Sequence, residues 1–234
     1  MFEKLRQARA WRAELRELGD SLAPAELAKP DDTTPGRLLW CLPVPGKPDA
    51  FMRLDAGQAD HDRFVVPVNA KAFNRLWLAG GLNSPERPDG CLLRKDMTSD
   101  SKYRHAVEGF AAGRDSPVPL ANVALERGRT PSVRFNDGVT RTLWLLANNV
   151  AAFPVLVAGE DNAKALAKLA GTDGSTMRVS EVVRSAEKAP QRAQEPLSTK
   201  KGGVGQEQEQ MQKGPETAPQ KSRRAMRDRG VGFD

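Results

Sequence analysis

The chain has 234 residues, 39% of them hydrophobic, with a formal net charge of +6. That length suits one ordinary domain with extensions. The mildly basic balance permits contact with nucleic acid or an anionic protein surface without demanding it. Two cysteines, Cys41 and Cys91, are too few for a disulfide framework and stand at no metal-ligand spacing with His61 or His105, so no resident metal site is expected. The opening MFEKLRQARAWRAELREL is charged throughout and has no apolar secretory core, and no stretch approaches about 18 apolar residues. A cytoplasmic protein without a membrane span is therefore predicted.

Leu5, Ala8, Trp11, Leu15, Leu18 and Leu22 recur at steps of three or four and predict an amphipathic helix, its other faces covered by Arg6, Arg9, Arg12, Arg16 and Glu17. Packing on its own domain is the expected role of this helix. A strand follows in GRLLWCLPV, closed by Pro43, Pro45 and Pro48, and a second at Arg63 to Val68. Asn69 is placed to cap a helix through AKAFNRLWLA, with Gly80 and Gly81 as its left-handed stop. The loop NSPERPDG leads to a strand-like CLLRK. Ser99 or Asp100 then caps a helix with Tyr103, Val107 and Phe110 on one side, ended by Gly113, before an extended PVPLANVAL.

In SVRFNDGVTRTLWLLANNVAAFPVLVAG, Val133 to Phe135 read as a strand and Asn136-Asp137-Gly138 as a turn. From Thr140 a helix presents Leu143, Trp144, Leu146 and Ala147, ends at Asn148-Asn149, and gives way to a returning strand AFPVLV. The spacing is that of a βαβ-like unit. Asp161 or Asn162 caps a further helix, AKALAKLA, stopped by Gly171, and RVSEVVRSA forms a short last one. Beyond residue 185, Pro, Gln, Glu, Lys, Ser and Gly dominate, too few apolar groups to offset the entropy of ordering. The organisation predicted is an N-terminal helix over 1–24, an α+β domain over 25–185 with a small mixed β-sheet and flanking helices, and a disordered basic tail over 186–234.

The turn before Leu143 is the candidate site. The first amides of a helix lack intrahelical partners and carry the positive end of its dipole. Gly138 lets backbone approach a ligand, Thr140 offers a hydroxyl and Arg141 a forked cation. Asn136, Gly138, Thr140 and Arg141 thus compose a phosphate or nucleotide seat. The alternative is a plain helix cap by Asp137 or Thr140, with Arg141 paired to a nearby carboxylate. Lys71 and Arg75, four apart on one helix, and Lys102 with Arg104 are candidate contacts for nucleic acid or a partner, or simply solvated helix faces.

Three blocks in fixed order, VVPVNAKAFNRLW, KYRHAVEGFAAGRDSPVPLANVAL and VRFNDGVTRTLWLLANNVAAFPVLV, resemble the plasmid fertility-inhibition factor family of broad-host-range conjugative plasmids. The resemblance implies a protein that blocks conjugative transfer of a co-resident plasmid. It also implies kinship with the ParB/sulfiredoxin fold, in which a Gly-x-His-Arg loop holds a phosphate. Gly138, Val139, Thr140 and Arg141 stand at those positions, with Thr140 in place of the histidine. Two main readings follow. An interaction protein would bind the coupling protein, another type IV secretion component of a rival plasmid, or its single-stranded DNA. An enzyme, a nuclease or nucleotide hydrolase, would use a nucleotide with a divalent metal and needs carboxylates near the phosphate, for which Asp137, Glu108 and Glu126 are the candidates. A ParB-like DNA-binding regulator is the third reading.

Overall fold

The computed structural model describes residues 2–19, 25–31, 37–55, 62–83, 91–128 and 130–184, all within the unit Met1–Glu195. The tail predicted over 186–234, the loop residues 84–90 and Leu22 lie outside the described residues. Helix α1 (Phe2–Leu18) comes first, then strands β1 (Arg37–Leu42), β2 (Ala50–Asp55) and β3 (Arg63–Asn69). Next are helix α2 (Ala70–Asn83), a 3-10 turn (Arg94–Ser99), helix α3 (Tyr103–Ala111) and strands β4 (Val118–Pro119), β5 (Ala121–Glu126) and β6 (Ser132–Asp137). Helix α4 (Val139–Ala147), strand β7 (Ala152–Ala158), helix α5 (Glu160–Ala170) and strand β8 (Met177–Arg178) complete the series, followed by a helical turn at 179–184. Mixed helix and sheet in this order make the domain α+β.

Among the described residues the strands form two sheets. One holds β1-β2-β4, the other β6-β5-β7-β3-β8. In the larger sheet β3 and β7 run antiparallel in the interior, and both are buried for nearly their whole length, which is why each reads as a continuous apolar run rather than an alternation. Both carry a proline, and Pro67 sits opposite Pro154. A proline inside a sheet normally costs a ladder bond. Here the Pro67 carbonyl faces away from β7 and accepts from the Thr172 amide at 3.1 Å. The two prolines therefore meet as a non-hydrogen-bonded pair, where neither amide would point at the partner strand.

The helices cover this sheet. Asn69 caps α2 as expected, its Oδ1 accepting from the amides of Lys71 (3.0 Å) and Ala72 (3.2 Å). The aromatic centre is contributed by three elements: Phe73 packs edge-on to Phe135 at 5.9 Å and to Phe153 at 5.4 Å, and Trp77 lies 4.7 Å from Phe135. Phe110 of α3 stacks on Trp144 of α4 at 4.2 Å. Helix α1 docks through Trp11, which is 1% exposed, while Leu5 at the start of the helix is 52% exposed and contributes little to that face.

Several local expectations are corrected. Gly80 and Gly81 do not stop α2, which continues to Asn83. They are packing positions: a Cβ on Gly81 would stand 3.2 Å from the Trp11 ring and from Cys91 Sγ, and one on Gly80 would stand 3.3 Å from the Val133 carbonyl. The CLLRK stretch is not a strand, because the chain turns into the 3-10 segment at Arg94. The segment Ala50–Asp55, not anticipated, is β2, an alternating strand paired along its length with β1. Neither Ser99 nor Asp100 stands at the N-cap of α3, which is Lys102; Asp100 Oδ1 accepts the Lys102 amide in the turn before the helix, and Val107 is exposed. Neither Asp161 nor Asn162 caps α5, which already begins at Glu160 after Gly159. Asn136 and Asp137 complete β6 rather than forming a turn.

The strand–helix–strand unit is also wired differently. Strand β5 lies between β6 and β7, antiparallel to the first and parallel to the second, so β6 and β7 are antiparallel to each other. The parallel crossover runs from β5 through β6 and α4 to β7.

Trp11 is the bolt of α1. Its replacement by alanine is expected to cost about 3–5 kcal/mol, the usual range for removing a buried aromatic. Chemical denaturation reads this as a lower midpoint. A loss below 1 kcal/mol would mean that α1 is not docked in solution.

Candidate functional site

The turn from β6 into α4 is built on one left-handed glycine. Gly138 has φ +97°. A Cβ there would sit 2.6 Å from the Ala121 Cβ and 2.8 Å from its Cα, so the turn lies directly against the first residue of β5. The Gly138 carbonyl accepts both the Thr142 amide (3.1 Å) and the Thr142 hydroxyl (3.0 Å), and Thr142 is fully buried.

Arg141 is turned inward. Its Nη1 donates to the carbonyls of Pro119 (3.0 Å) and Leu120 (2.9 Å), and its Nη2 donates to Asp137 Oδ2 at 3.0 Å. The side chain is 18% exposed against 69% for Asp137. Pro119 ends β4 and Ala121 begins β5, so the guanidinium holds the single residue at which the chain passes from the small sheet to the large one. Arg53 braces the same crossing: its Nη1 donates to Pro117 O at 2.7 Å, and its carbonyl accepts the Leu120 amide at 3.1 Å. Asn136 is exposed and its amide reaches Asn122 Oδ1 at 3.4 Å, and Thr140 is half-buried. Arg141 and Gly138 together clamp this turn, Arg141 pairing with the Asp137 carboxylate, and no side chain caps α4.

The three candidate carboxylates are dispersed. Glu108 lies on α3 and pairs with Arg104 at 2.8 Å. Glu126 lies at the far end of β5 and pairs with Arg134 at 3.0 Å. Asp137 faces Asn122 across the hairpin, four residues before Glu126. At strand rise that is roughly 13 Å. Among the described residues no group of three His, Cys, Asp or Glu side chains is placed to hold a metal ion. No described helix is long and apolar enough to cross a membrane.

Lys71 and Arg75 sit one turn apart on α2, Lys71 exposed and Arg75 half-buried; Lys102 precedes α3 and Arg104 lies in its first turn, both exposed. Lys71 reaches a cleft of about 270 Å³ at the start of α2, where it joins Arg94, Asn74 and Asn149 over a floor that includes Leu146 and Val150. A neighbouring recess shares Leu18, Lys71 and Arg94 and adds Glu14, Glu17 and Lys95. Arg94 organises this corner. Its amide donates to both oxygens of Glu14 at 3.1 Å, and its Nη2 donates to the Leu146 carbonyl at 3.1 Å and to Asn149 Oδ1. The sequence reading missed Arg94, Glu14 and Asn149 here. The one available signal was Asn149 in NN, a residue type that tolerates the left-handed φ of +59° it adopts.

Burial raises the Glu14 carboxyl above its ordinary value, and bonds from the Arg94 amide and Asn74 pull it back only in part. Burial likewise pushes the Cys91 thiol up to about 12, leaving it a packed neutral group.

The described residues form an α+β domain with this turn at its sheet junction. The family model described as plasmid fertility inhibition factor matches residues 65–171, from β3 through the end of α5. The chain belongs to that family. It is 44% identical over 173 residues to Protein osa of Shigella flexneri, an alignment covering 71% of this chain and 88% of that protein. A crystal structure of Oncogenic Suppression Activity Protein, a plasmid fertility inhibition factor, in its gold(I) cyanide derivative, is similar at 38% identity and a TM-score of 0.65, covering 79% of this chain and 97% of that one. The resemblance read from the three sequence blocks is thereby confirmed at the level of the family.

Two outcomes are expected of this geometry. Arg141→Ala strands two carbonyls at the sheet crossing and should cost about 2–3 kcal/mol, whereas Asp137→Ala, with its exposed carboxylate, should cost less than about 1 kcal/mol; urea denaturation of both variants checks the contrast. For Glu14, a folded-state pKa above the unfolded one means the folded chain binds the proton more tightly. Its contribution is present below the ordinary carboxylate range and is lost as pH rises through the folded value. Glu14→Gln should therefore be more stable than the native chain at pH 7, with the difference closing near pH 4 and below, as read by denaturation at both pH values.

Proposed function

We propose that this protein inhibits conjugation by docking on the rival plasmid's transfer machinery, with the coupling protein or another type IV secretion component as the partner. The observation that carries this reading is the inward Arg141. Its guanidinium meets three acceptors of its own chain, and Gly138 rests on Ala121, so the turn has little to offer an incoming phosphate. Family membership supplies the biological end of the argument, and the surface supplies the means. The outer face of α3 carries Arg104, His105 and an exposed Val107, next to Lys102. Lys102 and Arg104, the latter paired with Glu108, flank an exposed apolar side chain, an arrangement that suits an acidic partner surface, steered by charge and anchored by contact.

Single-stranded DNA of the transfer substrate is the second partner this basic face suits, and it would bind with a steep salt dependence. The enzymatic reading, a nuclease or nucleotide hydrolase using a nucleotide and a divalent metal, requires Asp137, Glu108 and Glu126 to act on one phosphate. Their separate placement and individual arginine partners speak for the docking reading. The ParB-like regulator remains a third proposal, and duplex binding would be its signature.

The test is the transfer frequency of the target plasmid from donors expressing each variant. Lys102→Glu with Arg104→Glu should relieve inhibition tenfold or more, since each 1.4 kcal/mol lost at an interface is a factor of ten in affinity. Asp137→Ala should inhibit as the native protein does. Relief by Asp137→Ala in a chain with native stability, with no effect of the α3 charge reversals, would replace docking by a catalytic turn.

A further inference from the structure

We propose that the cleft at the start of α2 is a binding site for a small organic carboxylate with a short apolar body. Its lining is sorted by chemistry. Among the described residues Lys71 and Arg94 are its two cations, Asn69, Asn74 and Asn149 its amides, and no carboxylate lines it; the Asn74 Nδ2 is turned to Glu14 of the adjoining recess at 3.5 Å. The remaining wall is aliphatic, with Leu18, Leu146 and Val150 prominent. A concave, mostly apolar space with a few convergent polar groups is the usual form of a small-molecule site.

The site does not rest on the open end of a helix. The first α2 amides are already taken: Ala70 donates to the Ala151 carbonyl at 2.9 Å, and Lys71 and Ala72 donate to Asn69. The attraction comes from side chains. Lys71 is exposed and pairs with no carboxylate among the described residues. Arg94 is fixed in place by its bonds to Leu146 and Asn149, so its charge is presented without further ordering.

Charge and volume select the ligand. Glu14 and Glu17 line the adjoining recess, so a polyanion reaching into it would meet like charge, and a single negative charge is favoured. A volume of about 270 Å³ corresponds to roughly nine waters of liquid, which admits a body of five or so carbons behind the anionic head. A free small acid and the acidic side chain of a protein share this chemistry.

The experiment uses the full chain, with hexanoate, hexylammonium and a capped Leu-Glu-Leu peptide as probes, followed by amide NMR shifts at Ala72, Val150 and Ala151. Hexanoate should give saturable shifts at these residues, and hexylammonium none. Lys71→Glu, an exposed substitution in a first helical turn that accepts negative charge, should weaken hexanoate at least tenfold with the rest of the spectrum unchanged. Lys71→Arg should bind within about threefold of the native chain. Tighter binding of the peptide than of hexanoate would identify a partner's side chain as the ligand, and the reverse a free acid. Equal shifts with hexylammonium, no saturable shift with either acid, or native affinity in Lys71→Glu would overturn the proposal.

Discussion

The junction between the two sheets is held by guanidinium-to-carbonyl bonds, above all those of Arg141. The chain crosses from the small sheet to the large one at Leu120, and a crossing of that kind exposes carbonyls that neither ladder can satisfy. Arg141 answers two of them with one nitrogen and reaches Asp137 with another. From the first turn of α4 the same side chain thereby binds the end of β4, the linking Leu120 and the end of β6. Gly138 is the steric counterpart: only a residue without a side chain lets the β6–α4 turn come down onto Ala121. The residues that looked most like a ligand seat are the ones that hold the fold's central junction.

The large sheet tolerates its prolines for a related reason. Placing Pro67 opposite Pro154 turns both away from the shared ladder, so the most buried pair of strands keeps its bonds while gaining two rigid residues. The helices then seal the sheet with aromatic rings, Phe73 and Trp77 from α2 meeting Phe135 and Phe153. Helix α1 is added through Trp11 against Gly81, and its approach creates the corner where Glu14 meets Arg94.

Much of this was readable from residue order. Apolar runs located β1, β3 and β7, Asn69 announced α2, and the three central blocks carried the family. The failures have physical causes. Gly80 and Gly81 carry the mark of a helix stop, but their small size serves tertiary contacts with Ser132, Val133, Trp11 and Cys91, none of them a local signal. Strand β2 was missed because Ala50–Asp55 alternates weakly and carries charges, and it exists through its pairing with β1. The bonds Arg141 makes were not legible in the sequence because their acceptors, the carbonyls of Pro119 and Leu120, have no side-chain signature. The cleft was invisible for the same reason: Lys71, Arg94 and Asn149 are brought together only by tertiary packing.

The single-residue crossing at Leu120 has a mechanical consequence. Arg141 and Arg53 brace either side of it, and bonds of this kind resist a swing of one sheet against the other. A partner would meet a surface whose shape is already set, and little of the binding energy would go into organising it. Under the docking reading proposed above, a braced junction of this kind would serve a protein that acts by occupying a place rather than by changing shape.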